Sequence, residues 1–147
     1  MVGVADSALV PLVVEALKEL GHIRALVVYG EAGLDELSPM GPTAVAALDD
    51  GAVTHRTVSP EDFGLESCSA EELAGGEPED NAAMILRVLG GEDRGGARTA
   101  VVMNAAAAIY VAGISGALEE GVTAATAAID DGSALEALEG LRKATNP

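Results

Sequence analysis

The sequence predicts an α/β domain in which a parallel βαβ core carries an appended antiparallel hairpin and a C-terminal group of packed helices. Three observations support this fold. Two strand-like apolar segments flank a helical pattern near the start, an Asp-Gly turn joins two β-prone segments, and the second half of the chain is helical. A chain of 147 residues is long enough to bury a core, so we expect a single α/β domain over residues 1–147.

The predicted parallel unit comes first along the chain. Residues 2–5 form a short apolar strand, and Ser7 is expected to cap a helix that has Pro11 in or near its first turn. A second strand follows at residues 25–29, so the two strands should be parallel with a right-handed crossover. Between Ser7 and Gly21 the apolar residues recur at helical spacing: Leu9, Val10, Val13, Val14, Leu17 and Leu20.

The next segment predicts an antiparallel hairpin. Residues 43–48 and 52–58 are β-prone, and Asp49-Asp50-Gly51 between them is a strong signal for a tight turn. Ser59, followed by Pro60, should then begin a short helical turn. The parallel strands therefore gain antiparallel neighbours.

The remaining residues predict helices that pack closely because they are rich in alanine. The helix after Pro78 should bury the face formed by Ala82, Ile85, Leu86 and Leu89 and should end at Gly90-Gly91. Residues 99–112 are apolar on nearly every side, which predicts a buried central helix. Two more helices are expected near residues 116–129 and 133–143.

Composition excludes several classes of function. The net charge is −16, so autonomous binding to nucleic acid or to an anionic membrane is not expected. The longest apolar stretch, residues 105–113, is too short to span a membrane. The single cysteine, Cys68, excludes an internal disulfide and favours a cytoplasmic location. No basic residue lies near it in the sequence, so a structural role is expected for Cys68.

Asp35 and Glu36 are the candidate metal ligands. They follow the second strand through a short loop with Gly30 and Gly33, and ligands of open α/β sheets bind outside the carboxyl ends of strands. Carboxylate oxygens suit Mg²⁺, which usually shares its coordination with substrate phosphates. Adjacency alone carries no information, because the chain contains eight adjacent acidic pairs. This pair alone follows a buried strand through a short glycine loop, which distinguishes it from the other seven.

No residue is assigned a catalytic role from the sequence. Gly30 and Gly33 match neither the Gly-x-x-x-x-Gly-Lys-Ser/Thr nor the Gly-x-Gly-x-x-Gly phosphate-binding pattern. Both are expected to form a turn. His22 and His55 are expected on the surface. Asn104 and Tyr110, on the central helix, are expected to be hydrogen-bonded within the core.

Together these segments resemble the C-terminal part of the anthranilate phosphoribosyltransferase family. The resemblance implies a nucleoside-phosphorylase-like α/β domain, and transfer of phosphoribosyl from phosphoribosyl pyrophosphate to anthranilate in tryptophan biosynthesis. It also implies Mg²⁺ on the pyrophosphate, held by the family's Asp-Glu pair, here Asp35 and Glu36. The segments that carry the resemblance, in the family's order, are residues 28–37, 41–43, 60–64, 75–76, 81–83 and 104–107.

The sequence departs from the family pattern in two respects. Tyr29 stands where the family usually has histidine. The family's Gly-Thr-Gly-Gly-Asp phosphate loop is absent from the sequence, and the anthranilate-binding arginine and the N-terminal helical domain should also precede residue 1. The resemblance therefore implies a C-terminal fragment that is inactive alone.

Two interpretations stay open at this level. The first is the metal-binding portion of a phosphoribosyltransferase, and the alternative is a non-catalytic α/β folding or interaction domain. Loss of upstream strands would leave an open sheet edge at residues 2–5 or 25–29. We therefore expect self-association through that edge or binding of a separate N-terminal portion.

Overall fold

The computed structural model describes residues 1–146 and contains a mixed four-stranded sheet. The strand order is β1-β2-β3-β4. β1 and β2 are parallel, whereas β2–β3 and β3–β4 are antiparallel. The predicted combination of a parallel βαβ unit and an appended hairpin is therefore confirmed. The strands are β1 (Val2–Gly3), β2 (Arg24–Gly30), β3 (Thr43–Asp49) and β4 (Ala52–Val58).

Helices fill most of the second half of the chain, as the sequence predicts. No helix within residues 1–146 is long and apolar enough to cross a membrane. A short 3-10 helix, Pro60–Phe63, follows β4. The α-helices are α1 (Leu9–Glu19), α2 (Ala70–Leu73), α3 (Pro78–Leu89), α4 (Gly96–Val111), α5 (Leu118–Asp130) and α6 (Ser133–Thr145).

The hairpin turn forms because its two central residues tolerate a left-handed backbone. Asp50 has φ 46° and Gly51 has φ 81°. Positive φ at both positions matches the twist of a two-residue antiparallel connection, and Asp-Gly is a favoured sequence for it. The turn places Asp49 opposite Ala52 and Thr43 opposite Val58.

The sheet is covered on both faces because its central strands are apolar on both faces. Ala25 and Val27 face α1 together with Val14, whereas Leu26 and Val28 face α4. Alternate side chains of a strand point to opposite faces, so a strand covered on both sides reads as a continuous apolar run. Burying each of these large side chains contributes roughly 1.5–3 kcal/mol.

The second layer of helices packs against α4 at very close range. A Cβ atom added to Gly121 of α5 would lie 2.6 Å from the carbonyl oxygen of Ala106 of α4. Only glycine allows this approach. α4 is nevertheless not buried on every side, because Val101 is exposed. The prediction of a fully buried central helix is therefore correct only for the sides that meet the sheet and α5.

The start of α1 differs from the prediction. The helix begins at Leu9 after Ala8, and Ser7 is not its cap. The side chain of Asp6 accepts a hydrogen bond from the Ala8 N–H at 2.9 Å just before the helix, and the helix itself has no side-chain cap. Pro11 lies in the first turn, as expected. Leu9 and Leu20 extend the apolar pattern beyond the sheet and are exposed.

The predicted apolar face of α3 is wrong in its burial. Ile85 is 51% exposed and Leu86 is 42% exposed, whereas Val88 is the buried residue of this helix. Ile85 and Leu86 line an open cleft of about 290 Å³, whose other wall contains Leu138 and Arg142 of α6. Helical spacing identified the apolar face, but spacing does not reveal whether another element covers it.

Candidate functional site

The candidate site is the loop that leaves the carboxyl end of β2. Asp35 and Glu36 lie on this loop, and both are exposed. The parallel strand β1 ends beside it, so the site occupies the edge of the sheet at which α/β folds bind ligands. The sequence-based location of the two acids is thus reproduced by the fold.

A compact turn gives the loop its shape. The Gly33 N–H donates to the carbonyl oxygen of Gly30 at 2.8 Å, and the Gly30 N–H donates to the carbonyl oxygen of Leu34 at 2.8 Å. Gly33 has φ 87°, a conformation that side chains rarely adopt. The expected role as a turn residue is therefore confirmed for Gly33. It is wrong for Gly30, which ends β2 and has no positive φ.

Glycine at two positions lets the backbone of the loop pack against the ends of the strands. A Cβ atom at Gly3 of β1 would lie 1.5 Å from the carbonyl oxygen of Asp35. At Gly30 it would lie 3.0 Å from the Cβ atom of Ser38 and 3.2 Å from the carbonyl oxygen of Glu36. The backbone of the acidic pair therefore rests directly on the sheet.

Asn104 fixes the loop from the other side. Its Oδ1 accepts a hydrogen bond from the Leu37 N–H at 3.0 Å, and its Nδ2 donates to the Leu37 carbonyl oxygen at 3.0 Å. Nδ2 also donates to the carbonyl oxygen of Ala100, one turn earlier on α4. The predicted hydrogen-bonded role of Asn104 is confirmed, and its main partner is the residue that follows Glu36.

A buried polar contact supports the far end of the loop. The hydroxyl of Thr43 accepts a hydrogen bond from the Ser38 N–H at 2.9 Å, and both residues are fully buried. The hydroxyl of Ser38 accepts a hydrogen bond from the Met40 N–H at 3.2 Å. Buried polar groups that are paired in this way specify one conformation, because leaving them unpaired is costly.

The eight acidic pairs differ in what their carboxylates do. In seven of them at least one carboxylate accepts a hydrogen bond from a nearby backbone N–H or pairs with an arginine. Within residues 1–146, neither Asp35 nor Glu36 has a hydrogen-bond or ion-pair partner. The carboxylates that are engaged belong to Asp49, Asp62, Glu72, Asp80, Asp93, Glu120, Asp130 and Asp131.

The donor set fits a hard cation that is shared with a substrate. Asp35 and Glu36 offer unpaired carboxylate oxygens, which are the donors that Mg²⁺ prefers. Within the described residues no group of three or more His, Cys, Asp or Glu side chains could hold a metal ion. The chain therefore offers only part of a coordination shell, and the remaining oxygens must come from water or from a ligand such as a phosphate.

The other residues considered from the sequence do not contribute side chains to the acidic loop. His22 and His55 are exposed, as expected. Tyr29 packs against the cluster on the α1 face of the sheet. Tyr110 stacks under the guanidinium of Arg24, 4.9 Å from the ring centre. Its backbone carbonyl oxygen accepts a hydrogen bond from Arg24 at 3.0 Å, and its partly buried ring packs against the core. The role of Tyr110 is therefore structural, with its backbone making the hydrogen bond.

Cys68 serves the framework behind the loop. Its N–H donates to the carbonyl oxygen of Pro39 at 2.9 Å, and its Sγ atom would lie 2.7 Å from a Cβ atom at Gly96. Burial raises the pKa of the Cys68 thiol, and the nearby negative charge of Glu72 adds to this effect. A raised pKa keeps the thiol protonated, which agrees with the expected structural role.

Sequence reasoning missed Gly3 as part of the site. The residue was treated only as a member of a short apolar strand. A glycine inside a strand often marks the close approach of another backbone, and this signal could have indicated the contact with Asp35. The link between Leu37 and Asn104 spans 67 positions of the chain, and no local pattern reveals it.

Comparison with known sequences identifies the family and similar enzymes. Residues 1–135 match the model of a family described as glycosyl transferase family, a/b domain. The anthranilate phosphoribosyltransferase of Methanobrevibacter smithii is 46% identical over 146 residues, which is 99% of this chain and 43% of that protein. The enzyme of the same name from Rubrobacter xylanophilus is 47% identical over 139 residues. The chain spans 41% of this second relative.

Solved structures share the fold. The anthranilate phosphoribosyltransferase of Thermus thermophilus superposes with a TM-score of 0.84 at 39% identity, covering 93% of this chain and 40% of that one. The enzyme from Saccharomyces cerevisiae, solved in complex with PRPP and Mg, gives a TM-score of 0.82 at 29% identity over the same shares. The family match over residues 1–135 and this shared architecture lead to one conclusion: the chain belongs to the glycosyl transferase family and contains its a/b domain.

Proposed function

We propose that this chain is the metal-binding portion of an anthranilate phosphoribosyltransferase. The whole enzyme would transfer phosphoribosyl from phosphoribosyl pyrophosphate to anthranilate in tryptophan biosynthesis. One observation carries the proposal: Asp35-Glu36 follows the carboxyl end of β2, and within residues 1–146 it is the acidic pair in which neither carboxylate has a structural partner. The similarity to named anthranilate phosphoribosyltransferases over 99% of the chain supports this substrate class.

The chemistry explains what the two acids would contribute. Displacing pyrophosphate from the anomeric carbon of the ribose builds negative charge on the leaving group. Mg²⁺ held by Asp35 and Glu36 would supply charge neutralisation at that group. The protein's own contribution is positional: backbone contacts of Gly3 and Gly30 keep both carboxylates at the sheet edge before substrate binds.

The chain alone is proposed to lack turnover. It spans 43% of its relative from Methanobrevibacter smithii, and the Gly-Thr-Gly-Gly-Asp phosphate loop of the resemblance does not occur in its sequence. With anthranilate, phosphoribosyl pyrophosphate and Mg²⁺ present, anthranilate fluorescence should decrease no faster than in buffer. Steady-state turnover by the pure chain would contradict this part of the proposal.

The free edge of β1 is the reason to expect a further polypeptide partner. β1 pairs with β2 through two residues only, its other side has no strand neighbour within residues 1–146, and Val2 is exposed. Open edges attract other strands. We expect either the remaining portion of the enzyme or a second copy of the chain to cover this edge. Light scattering at several concentrations, with hydrogen exchange of the amides of residues 2–5, tests this. A strictly monomeric chain with those amides fully protected would contradict it.

A double substitution tests the metal role. In a complete enzyme carrying this sequence, Asp35→Asn with Glu36→Gln should reduce kcat/KM by at least about 100-fold. Neutral amide oxygens would replace both negatively charged carboxylates as metal ligands. The fold should be unaffected, since neither side chain supports the core. Activity and Mg²⁺ dependence equal to the unmodified enzyme would overturn the assignment.

The matched control is Glu71→Gln with Glu72→Gln. This pair is also exposed and adjacent, but it lies at the start of α2, where Glu72 accepts a hydrogen bond from the Ser69 N–H. An amide oxygen at residue 72 can still accept that bond, so activity should change less than about two-fold. Equal loss in both double variants would indicate a general charge effect instead of a metal site.

A further inference from the structure

We propose that Asn104 is a positioning residue that presents Asp35 and Glu36 to the cation by clamping Leu37. This inference rests on the proposed metal role of the two acids. Asn104 is not one of the carboxylate donors, and it acts through the backbone of the residue that follows Glu36.

The hydrogen bonds of Asn104 define the orientation of its side chain. Oδ1 accepts from the Leu37 N–H, and the two N–H groups of Nδ2 donate to the carbonyl oxygens of Leu37 and Ala100, each at 3.0 Å. Both amide donors are used, and a flipped amide would place a donor against a donor. One side chain therefore forms hydrogen bonds to both the N–H and the carbonyl oxygen of Leu37.

Asn104 projects from a rigid element. Its neighbours Met103, Ala106 and Ala107 are fully buried between the sheet and α5. Hydrogen bonds from a packed helix hold a loop more firmly than contacts within the loop itself. The position of Leu37 is thereby tied to the core of the domain.

The acidic pair lies between two fixed points. On one side the carbonyl group of Asp35 rests against Gly3, and on the other Leu37 is held by Asn104. The side chain of Leu37 is itself buried, so removing Asn104 does not detach the residue. It loosens the Leu37 backbone and thereby relaxes the separation of the two neighbouring carboxylates. Groups that orient metal ligands from behind commonly change metal affinity by about 10–100-fold when they are removed.

The experiment follows cation binding at the site, not turnover. Mn²⁺ with inorganic pyrophosphate is titrated into the ¹⁵N-labelled chain, and paramagnetic broadening of the amide signals of residues 34–37 reports occupancy. Asn104→Ala should weaken apparent Mn²⁺ affinity by about 10-fold. It should also speed hydrogen exchange at the Leu37 amide while amides in β3 remain protected.

Asn81 provides a matched control. Its Oδ1 accepts from the Gly76 N–H at 2.8 Å and its Nδ2 donates to the Gly76 carbonyl oxygen at 3.1 Å, so it makes the same two-point clamp on another loop. Asn81→Ala should leave Mn²⁺ affinity unchanged. If Asn104→Ala does not fold, Asn104→Leu keeps the side-chain volume, removes all three hydrogen bonds, and should show the same loss of affinity.

The outcomes separate this inference from the proposed function. Mn²⁺ affinity that is unchanged by Asn104→Ala or Asn104→Leu, but abolished by Asp35→Asn with Glu36→Gln, overturns the positioning role and leaves the metal site intact. If the double variant binds Mn²⁺ as the unmodified chain does, both the metal site and the positioning role are wrong.

Discussion

The loop carrying Asp35 and Glu36 and the outer face of α3 both expose side chains, but they are held very differently. The loop is anchored by Gly3, by Asn104 and by buried hydroxyl contacts, so its exposed acids sit on a fixed backbone. Helix α3 has Val88 as its one buried residue, and its neighbour α6 has none. Exposed polar groups on a rigid support indicate a site, whereas exposed apolar groups on a loosely packed helix indicate a surface that lacks a cover.

Among the changes that test the site loop, the largest expected effect comes from pushing the loop away from the sheet. Gly3→Ala places a Cβ atom 1.5 Å from the carbonyl oxygen of Asp35, and this backbone atom cannot move away cheaply. We expect a loss of about 2–3 kcal/mol of unfolding free energy, measured by urea denaturation.

Gly140→Ala is the control for this change. Gly140 lies in α6 with nothing within 4 Å of the added atom, so the substitution should stabilise the chain by about 0.5–1 kcal/mol. Equal stability changes for the two alanine variants would show that the contact between Gly3 and Asp35 is not restrictive.

The next effect concerns the ion pair that ties the helical layer together. The side chain of Arg98 is 10% exposed and donates to Asp130 at 2.7 Å, and within the described chain its Nη1 is buried with no hydrogen-bond partner. Asp130→Ala would leave this buried cation unpaired. We expect a loss of about 2 kcal/mol, reduced from the value for a fully buried pair because Asp130 is 44% exposed.

The exposed pair between Arg142 and Glu139 serves as the comparison. Both side chains are largely open to solvent, so Glu139→Ala should cost less than about 0.5 kcal/mol in the same denaturation experiment. Similar losses for Asp130→Ala and Glu139→Ala would argue against a special role for the buried guanidinium.

A smaller effect is expected at Cys68, whose N–H donates to the carbonyl oxygen of Pro39. Because burial and Glu72 raise the pKa of its thiol, the thiolate fraction at a given pH is lower than for a free cysteine. Iodoacetamide should therefore react more slowly with the native chain than with the urea-unfolded chain, and the native rate should rise only at higher pH. The raised pKa also makes folding stability depend on pH. The contribution of the protonated Cys68 thiol is fully present below the pKa of the unfolded thiol and is lost as the pH rises through the folded pKa. Faster alkylation of the native chain would contradict the assignment.

The smallest stability change should come from the outer face of α3. Ile85→Ser with Leu86→Ser removes exposed apolar groups, so we expect a change within about 0.5 kcal/mol together with weaker binding of an apolar fluorescent dye. Leu26→Ala, at a fully buried position, should instead cost about 3 kcal/mol. A large loss in the double serine variant would mean that this face is covered in solution.

Local chemistry explains which features the sequence could predict. Asp50-Gly51 predicts its turn because few other pairs accept positive φ at both residues. Asp35-Glu36 could be located because a buried strand followed by a short glycine loop is visible in the order of segments alone. The exposed face of α3 could not be predicted, because apolar spacing is the same whether or not a partner covers the face. Ser7 is not the cap of α1, because Asp6 accepts the local hydrogen bond and the helix begins only at Leu9.

The contacts that hold the site were beyond local reasoning for a different reason. Gly3 contacts the backbone of Asp35, and Asn104 is hydrogen-bonded to Leu37, which lies 67 positions away in the sequence. Such contacts arise only after the helices have packed on the sheet. The position of the acids along the chain was therefore predictable, but the framework that orients them was not.

The strand order has a consequence for the time course of folding. β3 and β4 pair across a two-residue turn, and β2 pairs with β3 along the full length of both strands, whereas β1 reaches β2 only after the α1 crossover and is held by a two-residue pairing. Contacts of low sequence separation generally form first. We therefore expect the antiparallel strands to assemble early and β1 to dock late, bringing Gly3 under Asp35 near the end of the process. Competence to bind a cation would then be acquired in the last step of refolding, after most of the native secondary structure has formed.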